Sequence, residues 1–548
     1  MHASTEADAP IRVENLRVSF TQRGTVTEAV KGVGFSLARG ECLAIVGESG
    51  SGKSVTARAL LGLVGPNAVV TADTISVGGR DMTDSSESEW RAVRGSQIGY
   101  VPQDALGALD PLRTVGAEVA EGLRNHGKRS RSERADRVVG LLEEADVPEA
   151  RVRAGQYPHQ LSGGLRQRAL IAAARSAGPP ILIADEPTTA LDLRVQGRVL
   201  DNLDRLRGTG VSLLLISHDL SAVARLADRI AVMHRGVFVE QGRVEDVLAH
   251  PCHTYTRTLI DSVPTARARR ERSPGAVPGP PGPPVLEAAG LTKTVAGSGG
   301  ARRTVVDRVS FSLRGGEVLG VVGESGAGKS TTAHMAVGLE EPDEGVVTLL
   351  GQPWSGLSEA RRRTSRHRVQ LVQQDPLGAF DPRFRVERIV AEAFGRPTRH
   401  NVRAHRERIA ELLESVGLPL ELMGRYPAQL SGGQRQRVAI ARALAVDPDV
   451  LVCDEPVSAL DRTVQAQVVD LLARLSERLG LAVLFISHDL GVVRHLCDRV
   501  LVMKDGRVVE EGPTERVFAE PEHPYTRELL AALPELPPRS TVPGGARG

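Results

Sequence analysis

Two glycine-rich segments of the chain have the residue types and spacing that bind nucleotide phosphates. Residues 47–54 read GESGSGKS and residues 323–330 read GESGAGKS, so both follow the pattern G-x-x-x-x-G-K-S. Glycines let successive backbone N–H groups point inward around phosphate oxygens, and the following helix adds its positive N-terminal end. The lysine would reach the β- and γ-phosphates, and the serine would ligate Mg²⁺. The predicted contacts, with the residue after each segment, are Gly47, Glu48, Ser49, Gly50, Ser51, Gly52, Lys53, Ser54 and Val55, and Gly323, Glu324, Ser325, Gly326, Ala327, Gly328, Lys329, Ser330 and Thr331.

Acidic side chains and a histidine follow apolar runs that are typical of buried strands. Where a run ends in Asp-Glu, the aspartate has the place of the Mg²⁺-side acid of a P-loop NTPase, and the glutamate can activate the attacking water. A Ser-His-Asp segment closes a further run, and we expect its histidine to contact the γ-phosphate. An acid pair that only caps a strand end is the alternative, and the repetition of the whole series counts against it. These residues are Asp185, Glu186 and His218 in the first series and Asp454, Glu455 and His488 in the second.

The two series are copies of one domain. YPHQLSGGLRQRALIAAA at 157–174 and YPAQLSGGQRQRVAIARA at 426–443 agree at 13 of 18 positions, and the other motifs recur in the same order. A domain of roughly 250 residues is therefore present twice. We place the first domain at 11–264, a Pro- and Gly-rich linker at 265–284, the second domain at 285–534 and a short tail at 535–548.

The elements that must position these motifs have an α/β pattern. ECLAIVG at 41–47 and EVLGVVG at 317–323 are short apolar runs that end in glycine and precede a helical pattern. The runs that carry the acids and the histidine are equally apolar. Unbroken apolar runs of this length predict a parallel sheet that is covered on both faces.

The composition excludes other classes. The 69 basic and 67 acidic side chains nearly cancel, which gives no support for a nucleic-acid binder. No run reaches about 18 apolar residues, so the sequence predicts no membrane span. The four cysteines have no CxxC spacing and are expected to be buried thiols of a reducing cytosol. Six of the basic residues are lysines, and two of them occupy the P-loops, where a compact ammonium fits among phosphates better than a wide guanidinium.

The LSGG segments identify a family. With LSGGLRQR and LSGGQRQR beside two P-loops, the chain resembles the ATP-binding-cassette ATPases over nearly its full length. The resemblance implies two tandem P-loop NTPase cassettes that use ATP and Mg²⁺. It also implies that each cassette has a RecA-like parallel-sheet core, an antiparallel β subdomain and an α-helical signature subdomain.

In that family two cassettes face each other head to tail, and each ATP lies between the P-loop of one cassette and the LSGG signature of the other. The resemblance adds a glutamine that senses Mg²⁺ and the transport partner, an aspartate in a loop that crosses between cassettes, and an aromatic residue that stacks on adenine. Site one contains the P-loop of the first cassette. Its further residues are Gln103, Asp192 and Phe20, with the signature residues Ser431, Gly432 and Gly433 of the second cassette. Site two contains the P-loop of the second cassette. Its further residues are Gln374 and Asp461, with the signature residues Ser162, Gly163 and Gly164 of the first cassette.

Finer segments resemble the ATPases of oligopeptide and dipeptide importers. PQDALGALDP, QQDPLGAFDP and HPYTREL are of that type, and HPCHTYTRTL at 250–259 is a degraded copy of the last. The resemblance implies a peripheral subunit on the cytoplasmic face of the membrane that drives two integral-membrane permease subunits, with an extracytoplasmic binding protein to supply cargo and no direct nucleic-acid contact. An exporter ATPase and a soluble ribosome-associated translation factor are the alternatives. The peptide-type tail segments count against the first, and the short Pro- and Gly-rich linker counts against the second.

Two departures from the family pattern both fall on site two. Leu165 replaces the glutamine that usually follows LSGG, and Val295 stands where the first copy has Phe20. We therefore expect site two to bind ATP more weakly while still hydrolysing it, with neutral drift as the alternative. We also expect no iron–sulfur cluster, because the segments after the HPYT-type region contain no cysteine.

The inequality of the two sites can be measured directly. Lys53→Ala leaves site two intact and Lys329→Ala leaves site one intact, so the ATP dissociation constant of each variant reports one site. We expect the Lys53→Ala protein to bind about fivefold or more weakly, since base–aromatic stacking contributes roughly 1–3 kcal/mol. Weaker binding by the Lys329→Ala protein would contradict the hypothesis.

Overall fold

The two motif series lie in two separate compact units of the computed structural model. The boundary between the units falls at residues 263 and 264. The structure describes residues 9–22, 24–127, 130–189, 191–261, 282–296, 302–458 and 460–531. The predicted linker at 265–284, except for its last three residues, and the predicted tail at 535–548 lie outside the described residues.

The first unit alternates strands and helices after an initial β-rich segment. Its strands are β1 Ile11–Gln22, β2 Thr25–Leu37, β3 Cys42–Val46, β4 Ala68–Thr71, β5 Thr74–Val77, β6 Arg80–Asp81, β7 Ile98–Val101, β8 Ile181–Asp185, β9 Ser212–Ser217, β10 Arg229–His234 and β11 Val237–Arg243. Its α-helices are α1 Lys53–Ala59, α2 Glu87–Val93, α3 Ala105–Ala108, α4 Val115–His126, α5 Arg131–Glu144, α6 Ala150–Ala154, α7 Gly163–Arg175, α8 Leu193–Gly208, α9 Leu220–Leu226, α10 Val244–Ala249 and α11 Thr254–Asp261, with a 3₁₀ turn at Pro158–Gln160.

The second unit repeats this order. Its strands are β12 Pro284–Ala296, β13 Arg302–Arg314, β14 Val318–Gly323, β15 Glu344–Leu349, β16 Gln352–Pro353, β17 Val369–Val372, β18 Val450–Asp454, β19 Ala482–Ile486, β20 Arg499–Lys504 and β21 Arg507–Pro513. Its α-helices are α12 Lys329–Ala336, α13 Glu359–Arg362, α14 Val386–Ala391, α15 Arg399–Ala404, α16 Arg406–Ser415, α17 Gly432–Leu444, α18 Arg462–Leu479, α19 Leu490–Leu496, α20 Thr514–Ala519 and α21 Pro524–Ala531. The 3₁₀ turns are Arg366–Arg368, Glu392–Phe394, Leu420–Gly424 and Pro427–Gln429.

A mainly parallel sheet forms the centre of each unit. The strand order is β11-β10-β3-β9-β8-β7 in the first unit and β17-β18-β19-β14-β20-β21 in the second. All neighbours are parallel except the β10–β11 and β20–β21 pairs. Every residue of β3, β8 and β9 is buried, as expected for strands covered on both faces. Because parallel strands end at the same edge, the P-loop, the Asp-Glu pair and the Ser-His segment meet there.

Two smaller parts complete each unit. Antiparallel strands pair in the order β2-β1-β5-β6, with β4 on β1, and in the order β13-β12-β15-β16. In the first unit, helices α4 to α7 enclose their own apolar cluster, which includes Val115, Leu123, Leu141 and Leu142. In the second unit, α17 packs against α14 and α16. The predicted fold class, with its parallel core, antiparallel β part and helical part, is confirmed.

The cysteines depart from expectation at one position. Cys42, Cys453 and Cys497 are buried, whereas Cys252 is exposed. The prediction of buried thiols is wrong for Cys252 because this residue lies in the turn before α11 rather than in a core element. Burial raises the pKa of the Cys42 and Cys453 thiols. Within the described ranges, no helix combines the length and the apolar character needed to cross a membrane.

The second glycine of each LSGG segment lies where its helix crosses the next one. A Cβ atom built on Gly164 would lie 2.2 Å from Cγ1 of Val195, and one on Gly433 would lie 2.1 Å from Cγ1 of Val464. Helix α7 therefore packs on α8, and α17 on α18, at a distance that only glycine allows.

Replacing Gly433 by alanine should lower the urea midpoint of unfolding, followed by circular dichroism. Overpacking of this kind costs roughly 1–3 kcal/mol. The double variant Gly433→Ala, Val464→Ala should recover most of the loss, because it removes the methyl group that collides. Gly424→Ala is the control, since a Cβ there meets nothing within 4 Å. Equal midpoints for Gly433→Ala and Gly424→Ala would refute this account of the helix crossing.

Candidate nucleotide site

The glycine-rich loop of each unit curls around the ammonium group of its lysine. Lys53 is 4% exposed, and its Nζ donates hydrogen bonds of 2.8 Å to the backbone oxygens of Gly47 and Glu48. Lys329 makes the equivalent bonds within its own loop, also at 2.8 Å. Each lysine is the first residue of its helix, α1 or α12, where the helix dipole favours an anion.

The first glycine of each loop touches the backbone of a neighbouring strand. Gly47 and Gly323 both have φ of 153°. A Cβ atom on either would lie 2.1 or 2.2 Å from the backbone oxygen of Met233 or Met503, respectively. No side chain fits at these positions, so the requirement for glycine that the motif indicates has a steric cause.

A serine–aspartate hydrogen bond joins the P-loop helix to the end of a core strand. Ser54 Oγ donates to Asp185 Oδ1 at 2.8 Å, and Ser330 Oγ donates to Asp454 Oδ1 at 3.0 Å. Burial raises the pKa of both aspartates by more than the serine bonds lower it. A hydroxyl and a carboxylate side by side are the oxygen ligands that Mg²⁺ prefers.

The first unit holds its aspartate with an additional donor. Tyr100 Oη donates to Asp185 Oδ2 at 3.1 Å. Burial and the negative charge of Asp185 raise the pKa of Tyr100 to about 12, so the hydroxyl keeps its proton. In the second unit Leu371 stands at the corresponding place and has no hydroxyl. Sequence reasoning missed this difference, although the tyrosine lies three residues before the predicted Gln103.

The glutamate after each aspartate has a strained backbone. Glu186 has φ of 49° and Glu455 has φ of 47°, in the left-handed region that glutamate rarely adopts. Their N–H groups donate across the sheet to the backbone oxygens of Ile216 at 2.8 Å and Ile486 at 3.0 Å. The chain thus turns sharply at the sheet edge, and strain of this kind is found at functional sites.

Three side chains converge on Oε2 of Glu186. Gln103 Nε2 donates at 2.8 Å, Thr189 Oγ1 donates at 3.0 Å, and His218 Nδ1 lies at 3.2 Å. The geometry fixes the direction of the carboxylate. Of these partners, Thr189 was not predicted from the sequence.

The second unit repeats this cluster with one change. Gln374 Nε2 donates to Glu455 Oε2 at 3.1 Å, and His488 Nδ1 lies 3.2 Å from the same oxygen. Ser458 takes the place of threonine, and its Oγ accepts from Gln374 Nε2 at 3.3 Å. A hydroxyl three residues after the glutamate in both copies is the signal that sequence reasoning overlooked.

Charge keeps both glutamates ionised. Burial alone would raise the pKa of Glu186, but the hydrogen bond and charge of His218, with the charge of Lys53, outweigh it, so the pKa lies below the usual value. His488 and Lys329 have the same effect on the pKa of Glu455. An ionised, oriented carboxylate is able to accept a proton from water.

The two signature helices begin differently. Ser431 Oγ accepts from Gln434 N at 3.3 Å, and Gln434 Oε1 accepts from Ser431 N at 3.0 Å, which is a complete capping box. Ser162 Oγ accepts from Leu165 N at 3.4 Å, but leucine has no group to return the bond. The departure noted in the sequence at Leu165 therefore removes one half of the cap of α7.

The predicted adenine platform also differs between the units. Phe20 lies on β1, half-buried against the core of the first unit. Val295 lies on β12 and is 38% exposed. The first unit thus has an aromatic face at this place and the second does not, and the role of Phe20 in adenine binding stays a prediction.

The residues present fit a nucleotide with Mg²⁺. Ser51 Oγ in the first P-loop is buried and has no hydrogen-bond partner in the structure. A buried hydroxyl with no partner, in a glycine-rich loop that leads into a helix N-terminus, is suited to a phosphate oxygen. The Ser54 hydroxyl and the Asp185 carboxylate offer oxygen ligands next to it, at one edge of the sheet.

The fold and the site define a class of protein, the tandem-cassette ATPase with a P-loop in each half. The ABC transporter family model matches residues 30–189 and 306–458, and the chain belongs to this family. The model of the oligopeptide/dipeptide transporter C-terminal region matches residues 239–284 and 509–546. The predicted family is confirmed.

Two relatives and one solved structure resemble nearly the whole chain. A glutathione import ATP-binding protein, GsiA, of Escherichia coli O157:H7 is 41% identical over 99% of this chain and 93% of its own length. The protein of the same description from Salmonella choleraesuis is 40% identical over 96% of this chain and 90% of its own length. One chain of a structure described as a model of ribosome-bound archaeal Pelota and ABCE1 covers 94% of this chain and 80% of its own length, with a TM-score of 0.57. At 22% identity that likeness extends to the fold alone.

The unequal caps should differ in hydrogen exchange. The first-turn amides of α7 should exchange roughly 2- to 10-fold faster than those of α17, because a capping interaction contributes about 0.3–1.5 kcal/mol. Leu165→Gln should slow exchange in α7, and the reciprocal Gln434→Leu should accelerate it in α17. Exchange resolved by mass spectrometry checks both. Rates that do not respond to either substitution would show that the second half of the box contributes nothing.

Proposed function

We propose that the chain powers the import of small peptides by hydrolysing ATP at its two P-loop sites. One observation carries the proposal. Both units hold a lysine, a serine–aspartate pair and an oriented glutamate–histidine pair at one sheet edge, in a chain that also matches the C-terminal region of peptide transporters. Membership in the family supports ATPase activity coupled to transport.

The chemistry that we propose follows from the contacts. Lys53 and the P-loop amides would hold the phosphates, and Ser54, Gln103 and Asp185 would hold Mg²⁺, whose charge neutralises phosphate oxygens when it is bound. Glu186 would take the proton of the attacking water. The second unit would use the equivalent residues Lys329, Ser330, Gln374, Asp454 and Glu455 in the same roles.

His218 and His488 would do two things in this scheme. Each would hold its glutamate through Nδ1 and present the other ring nitrogen to the γ-phosphate. The contact of 3.2 Å to the carboxylate supports the first role in both units. For this contact to be a hydrogen bond, Nδ1 must carry a proton.

An ATP-binding subunit of an importer implies membrane permease partners. We propose two permease subunits, an extracytoplasmic binding protein that selects the cargo, and a peripheral location on the cytoplasmic face. The two relatives from Escherichia coli and Salmonella are described as glutathione import ATP-binding proteins, and glutathione is a tripeptide, so glutathione and short peptides are the cargo we propose. The same comparisons favour an importer over an exporter or a ribosome factor. The absence of an iron–sulfur cluster stays a prediction.

Removing both catalytic carboxylates tests this function. The double variant Glu186→Gln, Glu455→Gln should still bind ATP but release phosphate at least about 100-fold more slowly, because general base catalysis contributes roughly 10²–10⁴-fold. In cells that lack the native gene, it should fail to restore uptake of labelled dipeptide, oligopeptide or glutathione. Glu143→Gln, at an exposed glutamate of α5, is the control and should restore uptake.

Each outcome of that experiment has a meaning. Uptake of one labelled cargo with the unaltered chain identifies the substrate. Uptake restored by the double variant would refute ATP-driven import through these sites. If the unaltered chain supports uptake of none of the three cargoes, the proposal of peptide import is wrong.

A further inference from the structure

The C-terminal segments of the two units touch the P-loops. Tyr255 Oη accepts a hydrogen bond of 2.9 Å from the backbone N–H of Glu48, and Tyr525 Oη accepts one of 3.1 Å from the backbone N–H of Glu324. Both tyrosines belong to the region that matches peptide transporters, a region to which the catalytic scheme assigns no role. The contact occurs at the second residue of the loop in both copies.

The segment before each tyrosine is built to place it. In the second unit the Glu510 carboxylate accepts the N–H groups of Glu522 at 2.8 Å and His523 at 3.0 Å. His523 Nδ1 then accepts the N–H of Tyr525 at 3.1 Å, at the start of α21. A hydrogen-bonded chain thus runs from strand β21 through the turn to the tyrosine.

The first unit has the same chain with different residues in the turn. Glu240 accepts the N–H groups of Cys252 at 2.8 Å and His253 at 3.0 Å. His253 Nδ1 accepts the N–H of Tyr255 at 3.1 Å. The HPCHTYT segment, which departs from the HPYT pattern, therefore keeps the interactions that hold the tyrosine.

The tyrosine rings rest on the strand that also confines the P-loop. His234, the last residue of β10, packs against Tyr255 with ring centroids 3.9 Å apart and ring planes tilted by 34°. Lys504, the last residue of β20, places its Nζ 4.7 Å from the ring centroid of Tyr525, which is a cation–π contact. Tyr525 is 2% exposed, so its ring and hydroxyl have fixed positions.

Each P-loop is therefore held on two sides. The strand carbonyl of Met233 or Met503 lies against the first glycine, and the tyrosine hydroxyl binds the N–H of the next residue. A buried backbone N–H without a partner is costly, so the hydroxyl favours the loop shape in which that N–H points outward. The loop is then held in this one shape before a nucleotide binds.

We propose that Tyr255 and Tyr525 are positioning residues that preorganise the P-loops, so that the C-terminal segment sets the affinity of each site for ATP. The inference rests on the proposed function, because it assumes that ATP binds to these loops. Preorganisation increases affinity by removing the ordering cost from the binding step. The effect should therefore appear in ATP binding and not in the chemical step.

The test removes one hydroxyl and keeps the ring. Tyr525→Phe is made in the full chain with Lys53→Ala, so that only the second P-loop binds, and the dissociation constant of a methylanthraniloyl-labelled ATP is measured by fluorescence. We expect this dissociation constant to rise about 2- to 10-fold, which corresponds to the net contribution of one hydrogen bond. Tyr255→Phe with Lys329→Ala should behave in the same way. In chains that keep both lysines, KM for ATP should rise while kcat stays within about twofold.

Two further variants separate positioning from a general loss of stability. Leu529→Ala removes buried apolar atoms from the same helix, α21, so it should lower the stability and leave the dissociation constant unchanged. Glu510→Gln loosens the turn without touching tyrosine or loop and should weaken binding in the same direction as Tyr525→Phe. It replaces Tyr525→Phe if that variant does not fold.

The outcomes distinguish this inference from the proposed function. If the single-lysine parents bind labelled ATP and both Tyr→Phe variants bind it equally well, the positioning role is wrong and the proposed function stands. If Leu529→Ala weakens binding as much as Tyr525→Phe, the effect is structural and the inference is overturned. If the parents bind no nucleotide, the proposed function itself fails.

Discussion

The structure of each unit depends on the close approach of a glycine to a strand carbonyl. Gly47 lies against the backbone oxygen of Met233, and Gly323 against that of Met503. After this contact the loop curls around the ammonium group of the lysine, and the helix starts at that lysine. Because the neighbouring parallel strands end at the same edge, the aspartate, glutamate and histidine lie beside the loop, although Ser54 and Asp185 are 131 residues apart in the chain.

Duplication has kept this geometry while the residues that support it changed. Asp185 has a tyrosine donor and Asp454 has a leucine in its place. One signature helix has a reciprocal cap and the other has half of it. A histidine covers one C-terminal tyrosine and a lysine covers the other. The groups that we propose to bind the phosphates are nearly identical in the two units, and the differences lie in the residues that contact those groups.

The motifs predicted most of the site because glycine spacing, strand-terminal acids and LSGG each have a specific physical cause. The sequence also predicted the parallel core, since β3, β8 and β9 are unbroken apolar runs. The sequence did not predict the contacts between segments that are distant in the chain and come together only on folding. Tyr255 and Glu48 are more than two hundred residues apart in the chain, and no local sequence pattern predicts their hydrogen bond. The hydrogen bond between Tyr100 and Asp185 was equally unpredictable from a local pattern. The predicted burial of Cys252 was wrong because residue type alone does not determine burial.

The exposure of Cys252 makes the chain easy to label at one place. The other three cysteines are buried, and burial raises the pKa of two of them, so their thiolates are scarce at neutral pH. A maleimide dye or nitroxide would therefore attach in the turn that carries Tyr255, on a natural chain with no engineered cysteine. Spectroscopy of that single probe would follow the C-terminal segment of the first unit through the nucleotide cycle, while the second unit stays spectroscopically silent.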